Sequence, residues 1–167
     1  MNPARGGWFI GLTLFLALVL AAIHLPQEWP EWLGWMRPQW TAVVVFFWVL
    51  HFPNRFGLIW AWVLGVLLDV LQADPLGLNA LSLATITYVT WKLYERLRMY
   101  TVVQQCGVVF LLTAAAELFR LLVHALWLDR EISFLFITGA LMSALIWPPV
   151  EALLLQLSSQ FRVDERG

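Results

Sequence analysis

Apolar residues run along this chain in long blocks broken by short polar corners, without the strict alternation of strands or the single apolar stripe of a soluble helix. Six blocks are long enough to be read as helices, at about 8–25, 38–52, 56–71, 78–93, 103–127 and 132–160. The last should kink or break at 147–149, because Pro148 and Pro149 each remove a backbone donor and clash with the turn before them. The second block is short. At about 1.5 Å per residue it reaches roughly 22 Å, against a hydrocarbon core of about 30 Å. Either Arg37 snorkels outward and the helix begins earlier, or the bilayer thins at this point.

The first block, preceded by Arg5, could pass for a signal peptide. It is long enough to span, its end (Ala21, Ala22, Ile23, His24) lacks an A-x-A cleavage pattern, and further spans follow, so it is read as a retained helix. Residues 26–40 carry Trp29, Trp32, Trp35 and Trp40 in a polar stretch that suits the headgroup level of a membrane. That loop serves either as an aromatic anchor belt or as a contact surface for a partner outside the membrane.

Composition agrees with a membrane-embedded domain. Of 167 residues, 61% are hydrophobic and only 13% charged, with a mean hydropathy of +0.76. The expectation is therefore one all-α, polytopic domain over residues 1–167. A net charge of -1 without any basic arm excludes a nucleic-acid partner. The single cysteine, Cys106, gives no disulfide framework and no cysteine-based metal site. With six spans and the N-terminus inside, seven cations (Arg5, Arg55, Lys92, Arg96, Arg98, Arg162, Arg166) lie on the inner side and two (Arg37, Arg130) on the outer, Arg120 staying within the membrane. This bias puts both termini in the cytoplasm.

Candidate chemistry is confined to a few polar groups inside the apolar blocks. Asp69, Glu117, Arg120 and Glu151 are each expensive in hydrocarbon, so they should face the bundle interior and find partners. Glu117 and Arg120 are spaced i, i+3, with His124 a turn further on the same side. Arg120 is expected to meet Asp69 across the third and fifth helices, both in the outer half of the bilayer. The cluster reads as a polar latch between helices or as the lining of a ligand pocket or ion pathway. Gly57, Ala61 and Gly65 recur every fourth residue and share a face with Asp69, forming a surface for helix packing or for a partner. Ser82, Thr85, Thr87 and Thr90 on the fourth helix need no pore, since hydroxyls bond helix backbone. His24 and His51 read as interfacial, and His124 has no companion at metal-ligand spacing, so no metal or cofactor is expected. Nucleophile-elbow, phosphate-loop and dinucleotide motifs are absent, and the reading is non-enzymatic.

The run from Trp48 to Leu81 resembles the MreD family of bacterial rod-shape-determining proteins. That family has a helix ending in a Pro-x-Arg corner, a next helix ending in Gly-x-Leu-x-Asp, and then Pro-Leu-Gly-x-x-Ala. Here these positions are Pro53, Arg55, Gly65, Asp69, Pro75, Leu76, Gly77 and Ala80. The tryptophan-rich loop, the Gln104–Gln105 pair and the Trp-Pro of the last helix extend the resemblance over essentially the whole chain. It implies a multi-pass inner-membrane subunit of the cell-elongation machinery, engaged in lateral peptidoglycan synthesis. The implied partners are MreC, a bitopic membrane protein; the actin-like filament protein MreB; and the RodA glycosyltransferase with its penicillin-binding transpeptidase. It also implies a fold similar to the substrate-binding membrane subunits of energy-coupling-factor transporters, which keeps a polar pocket for a lipid or small molecule in view.

Overall fold

A computed structural model of the chain describes residues 7–23, 37–128 and 136–160. His24 and the tryptophans at 29, 32 and 35 lie outside the described residues, as do the charged residues 129–131 and the polar tail. Among the described residues six helices follow one another: α1 (Gly7–Ala22), α2 (Trp40–His51), α3 (Leu58–Gln72), α4 (Leu78–Leu97), α5 (Val102–Leu128) and α6 (Phe136–Gln160). Two of them, over Val102–Leu126 and Ile137–Gln160, are long and apolar enough to cross a bilayer by length and composition alone; α1, α2 and α3 are shorter and equally apolar. The protein is a polytopic all-α membrane protein.

Helix α2 is the axis on which the others pack. Every residue from Thr41 to Leu50 is buried, and α1, α4, α5 and α6 all lie against it. A helix apolar on all sides has no solvent face to present, so it belongs in the middle. This accounts for its length. With 12 residues it rises about 18 Å, well short of a bilayer core of about 30 Å. A helix enclosed by protein is not required to match that thickness. It starts at Trp40 rather than at 38, because Gln39, at φ -78° and ψ 75°, makes a tight turn in which the Trp40 N–H is donated to Pro38 O at 2.9 Å, while the Gln39 N–H is donated to Ser143 Oγ of α6 at 2.8 Å.

Aromatic and hydroxyl groups tie α2 to its neighbours. Trp48, fully buried, packs edge-on against Phe9 with centroids 5.9 Å apart and donates its indole N–H to Thr13 Oγ1 of α1 at 3.0 Å. Phe46 meets Trp147 of α6 in a T-shaped pair at 4.8 Å. Such pairs give about 0.5–1.5 kcal/mol beyond the area they bury. Outside this centre, α3 exposes Ile59, Trp60, Trp62, Val63, Leu67 and Val70, a lipid-facing flank.

Three corners set the order of the helices. At the first, Phe52 and Phe56 are buried on either side of Pro53, Asn54 and Arg55, and the Phe56 N–H reaches back to Phe52 O. Helix α3 thus begins at Leu58, two residues later than its hydrophobicity predicts. At the second, Ala73 at φ 53° closes α3 in the left-handed region and Gly77 at φ 101° opens α4, a conformation that favours glycine. At the third, α4 runs on to Leu97 and takes in Glu95 and Arg96, since helix formers above the hydrocarbon carry the helix onward and Arg96 suits its C-terminal end. Gln104 then reaches back to the Thr101 N–H at 3.0 Å, while Gln105 accepts the Trp147 indole N–H at 3.1 Å and donates to Leu97 O at 3.1 Å.

The expected break at 147–149 is not observed, and α6 runs uninterrupted through Pro148 and Pro149. The prolines leave the carbonyls of Ala144 and Leu145 without their usual intrahelical donors. Tight packing of the flanking Trp147, which is fully buried, keeps the helical path.

Candidate functional site

Asp69 ends the α3 face that also carries Ala61 and Gly65, and all three are buried. Gly65 permits the approach: a Cβ there would land on the Ala80 backbone and within 2.8 Å of the Asn79 carbonyl carbon. Close apposition of the two backbones brings the Asp69 carboxylate onto the N-terminus of α4, where Oδ2 accepts the Gly77 N–H and Oδ1 the Asn79 N–H, both at 2.8 Å. First-turn N–H groups of a helix have no partners in their own helix, and a carboxylate there also meets the positive end of the dipole. Helix α4 therefore takes its cap from the preceding helix. Gly57, at the other end of the stripe, stands in open space as the N-cap of α3. Pro53 and Arg55 lie in the α2–α3 corner, and Pro75 lies in the α3–α4 corner that this contact closes, its carbonyl accepting the Leu78 N–H at 3.2 Å.

The expected pairing of Asp69 with Arg120 is corrected by this geometry. Both Asp69 oxygens serve the α4 backbone, and Arg120 instead meets Glu117 at 3.0 Å and Asp74 at 4.0 Å. Asp74 is also reached by His124 Nε2 at 3.3 Å and by the Asn79 side-chain amide at 3.3 Å. Gln39 donates to Glu117 Oε1 at 2.6 Å. Arg37, half-buried, gives its Nη2 to the last carbonyls of α1, those of Leu20 at 3.2 Å and Ala21 at 3.1 Å. Glu151 does not join the group: it lies toward the other end of α2, 3.5 Å from His51 Nε2.

These groups wall a cavity of about 420 Å³ between the N-terminus of α2, the α3–α4 corner, α5 and the end of α1. Its lining is partly apolar, with Leu68, Leu83 and Ile86, and partly polar, with Arg37, Gln39, Asp74, Asn79, Glu117, Arg120 and His124. Asp69 is not among the lining residues. Burial, and after it the charge of Arg120, pull the Arg37 guanidinium below its ordinary range. The Nδ1 of His124 is buried without a hydrogen-bond partner among the described residues.

Arg37, Gln39, Asp74 and Asn79 were not legible as site residues from their sequence context. Arg37 and Asp74 stand in polar corners, where charge is ordinary. One signal was available: the alternating topology brings the ends of α1, α3 and α5 and the starts of α2 and α4 to one end of the bundle, so polar residues in those corners share a neighbourhood with Arg120 and His124.

A buried helical axis, a carboxylate-fastened hairpin and a polar cavity at one end define a helical membrane protein with a membrane-embedded polar site. A family model described as rod shape-determining protein MreD matches residues 4–157. The Rod shape-determining protein MreD of Haemophilus influenzae is 30% identical over 156 residues, which cover 93% of this chain and 94% of that protein. The chain belongs to the MreD family. No solved structure matches it.

Proposed function

We propose that the protein is a non-enzymatic, multi-pass subunit of the bacterial inner membrane, with both termini in the cytoplasm, that scaffolds or regulates lateral peptidoglycan synthesis within the cell-elongation complex. The family match over residues 4–157 carries this reading, and the excess of Arg and Lys in alternate corners supports the orientation. The partner is an MreC-like bitopic protein whose single membrane helix docks on the lipid-facing side of the bundle. MreB, RodA and its penicillin-binding transpeptidase complete the assembly, and Arg55 and the residues from Lys92 to Arg98 meet the filament or the anionic leaflet.

The docking surface must be sought on faces that are open. Gly65 is occupied by α4 and Ala61 is fully buried, so bulky residues there would test folding and not partnership. Exposed side chains on α1 (Leu12, Phe15, Leu16, Val19) and α3 (Ile59, Trp60, Val63) offer an apolar surface on adjoining helices. Copurification from a rod-shaped host in mild detergent, with mass spectrometry of the retained proteins, tests the proposal. Phe15→Ala combined with Ile59→Ala should lower recovery of an MreC-like protein while membrane insertion is unchanged. Unaltered recovery would remove this docking face, and absence of any MreC-like protein from the parent preparation would remove the scaffold reading itself.

The polar cavity favours a second reading alongside the first, in which the bundle holds a lipid or small molecule. A half-open concave site that combines charges with apolar lining residues is an ordinary form of ligand pocket.

A further inference from the structure

The polar cavity has a side door. Between α4 and α5 lies an apolar cleft of about 280 Å³, banked by Leu81 and Thr85 on one side and by Leu112, Ala115 and Phe119 on the other. Ser82, Ile86 and Ala116 line both the cleft and the polar cavity, so the two spaces adjoin through a shared wall. Leu81 and Phe119 are exposed on the lipid-facing side, and α4 packs on α5 more loosely than on α3. An apolar cleft on the acyl side of the bundle, between two helices, thus adjoins a chamber lined with charge.

The charges in that chamber are unevenly matched. Arg120 has two carboxylates, Glu117 and Asp74. Arg37 bonds only backbone carbonyls, and among the described residues no carboxylate pairs with it. Beside it the N-terminus of α2 has no side-chain cap. A guanidinium in a partly desolvated wall, with no carboxylate paired to it among the described residues, suits an anion, and a phosphoryl group matches its planar donors. Asp74 and Glu117 line the same chamber; their carboxylates already accept from Arg120, His124, Asn79 and Gln39, and the remaining lone pairs suit an ammonium or hydroxyl group on the same ligand.

From this we infer that the chamber and cleft together hold one phospholipid, its phosphate against Arg37, its donor-bearing head group toward Asp74 and Glu117, and an acyl chain in the α4–α5 cleft. The inference rests on the reading of the cavity as a ligand site and names its occupant. The same phosphate chemistry could arrive as a soluble compound, but only a lipid uses the cleft.

The test uses the full chain, delipidated in mild detergent and titrated with phosphatidylethanolamine, with glycerophosphoethanolamine (the same head group without chains) and with inorganic phosphate, followed by native mass spectrometry. Phosphatidylethanolamine should bind saturably with one molecule per chain. Arg37→Gln should weaken it on the order of tenfold or more, the worth of a charge-assisted bond. Ala115→Phe should block the cleft and weaken the lipid without altering the melting temperature; Thr85→Trp on the opposite bank gives the same block should the first variant fold poorly. If glycerophosphoethanolamine or phosphate binds as tightly as the lipid and the cleft variants have no effect, the lipid inference fails while the pocket reading stands. Lipid retained equally by all variants means an ordinary annular contact and overturns the inference. No binding of any probe overturns both.

Discussion

Replacing Asp69 by Asn removes one charge and turns one acceptor oxygen into an NH2 group, in a side chain with no exposed surface. The parent carboxylate accepts two backbone N–H bonds of 2.8 Å at the start of α4. Asparagine can keep only one of them, and its amide NH2 must then face the other N–H. A charge-assisted bond is worth about 1.5–3 kcal/mol, and a buried donor left unmet costs about 1–3 kcal/mol more. Loss of the anion at a helix N-terminus adds up to about 2 kcal/mol. These terms overlap, so the expected loss is about 3–5 kcal/mol, large against the stability of a small domain. Reversible unfolding in mixed micelles would measure it, and hydrogen exchange would localise it: the Gly77 and Asn79 amides should lose protection first. Asp74→Asn in the cavity serves as the control, changing ligand retention with a smaller effect on stability. If Asp69→Asn unfolds within about 0.5 kcal/mol of the parent, the magnitude usual for a surface change, the carboxylate is not what fastens α4.

Gly65→Ala should cost about 1–3 kcal/mol, because the added methyl meets Ala80 backbone and the helices must separate; the same unfolding assay reads it, and an unchanged midpoint would contradict the close approach. Gln105→Leu strips two bonds from a buried bridge and should destabilise by about 2–4 kcal/mol. Trp147→Phe should then cost less in that background than in the parent, because only the loss of packing remains once the indole N–H has lost its acceptor; strict additivity of the two changes would deny the bridge.

The parts of this architecture that were readable in advance are those written in local spacing. The stripe of Ala61, Gly65 and Asp69 follows from a repeat of four, and the Glu117–Arg120 contact from a spacing of three. Other contacts depend on groups without a sequence signature. Asp69 meets backbone N–H groups, and any residue could supply those, so a cation that happened to lie at the same depth looked like the natural partner. Arg37 likewise bonds carbonyls of α1. The length of α2 was readable but its cause was not, because a short apolar block looks alike whether it faces lipid or protein. The double proline breaks a helix in isolation, yet here it lies beside a tryptophan locked in the core.

The bonds that hold the bundle together also differ in how much of the chain must exist before they form. The α3–α4 hairpin closes on itself: the Asp69 contacts reach only 8 and 10 residues ahead, so it can enter the membrane as a finished unit while later helices are still being made. The polar end of α2 must wait. Gln39 finds Glu117 78 residues downstream, and its backbone N–H finds Ser143 104 residues downstream. Until α5 and α6 arrive, that end of the central helix is an open polar wound in the bilayer, the stretch where an insertion chaperone or an early lipid would bind. The order of synthesis thus leaves the cavity unfinished until the start of α6 has been made, and a chain stopped before α6 should be cleared by membrane proteolysis with its α3–α4 hairpin already folded.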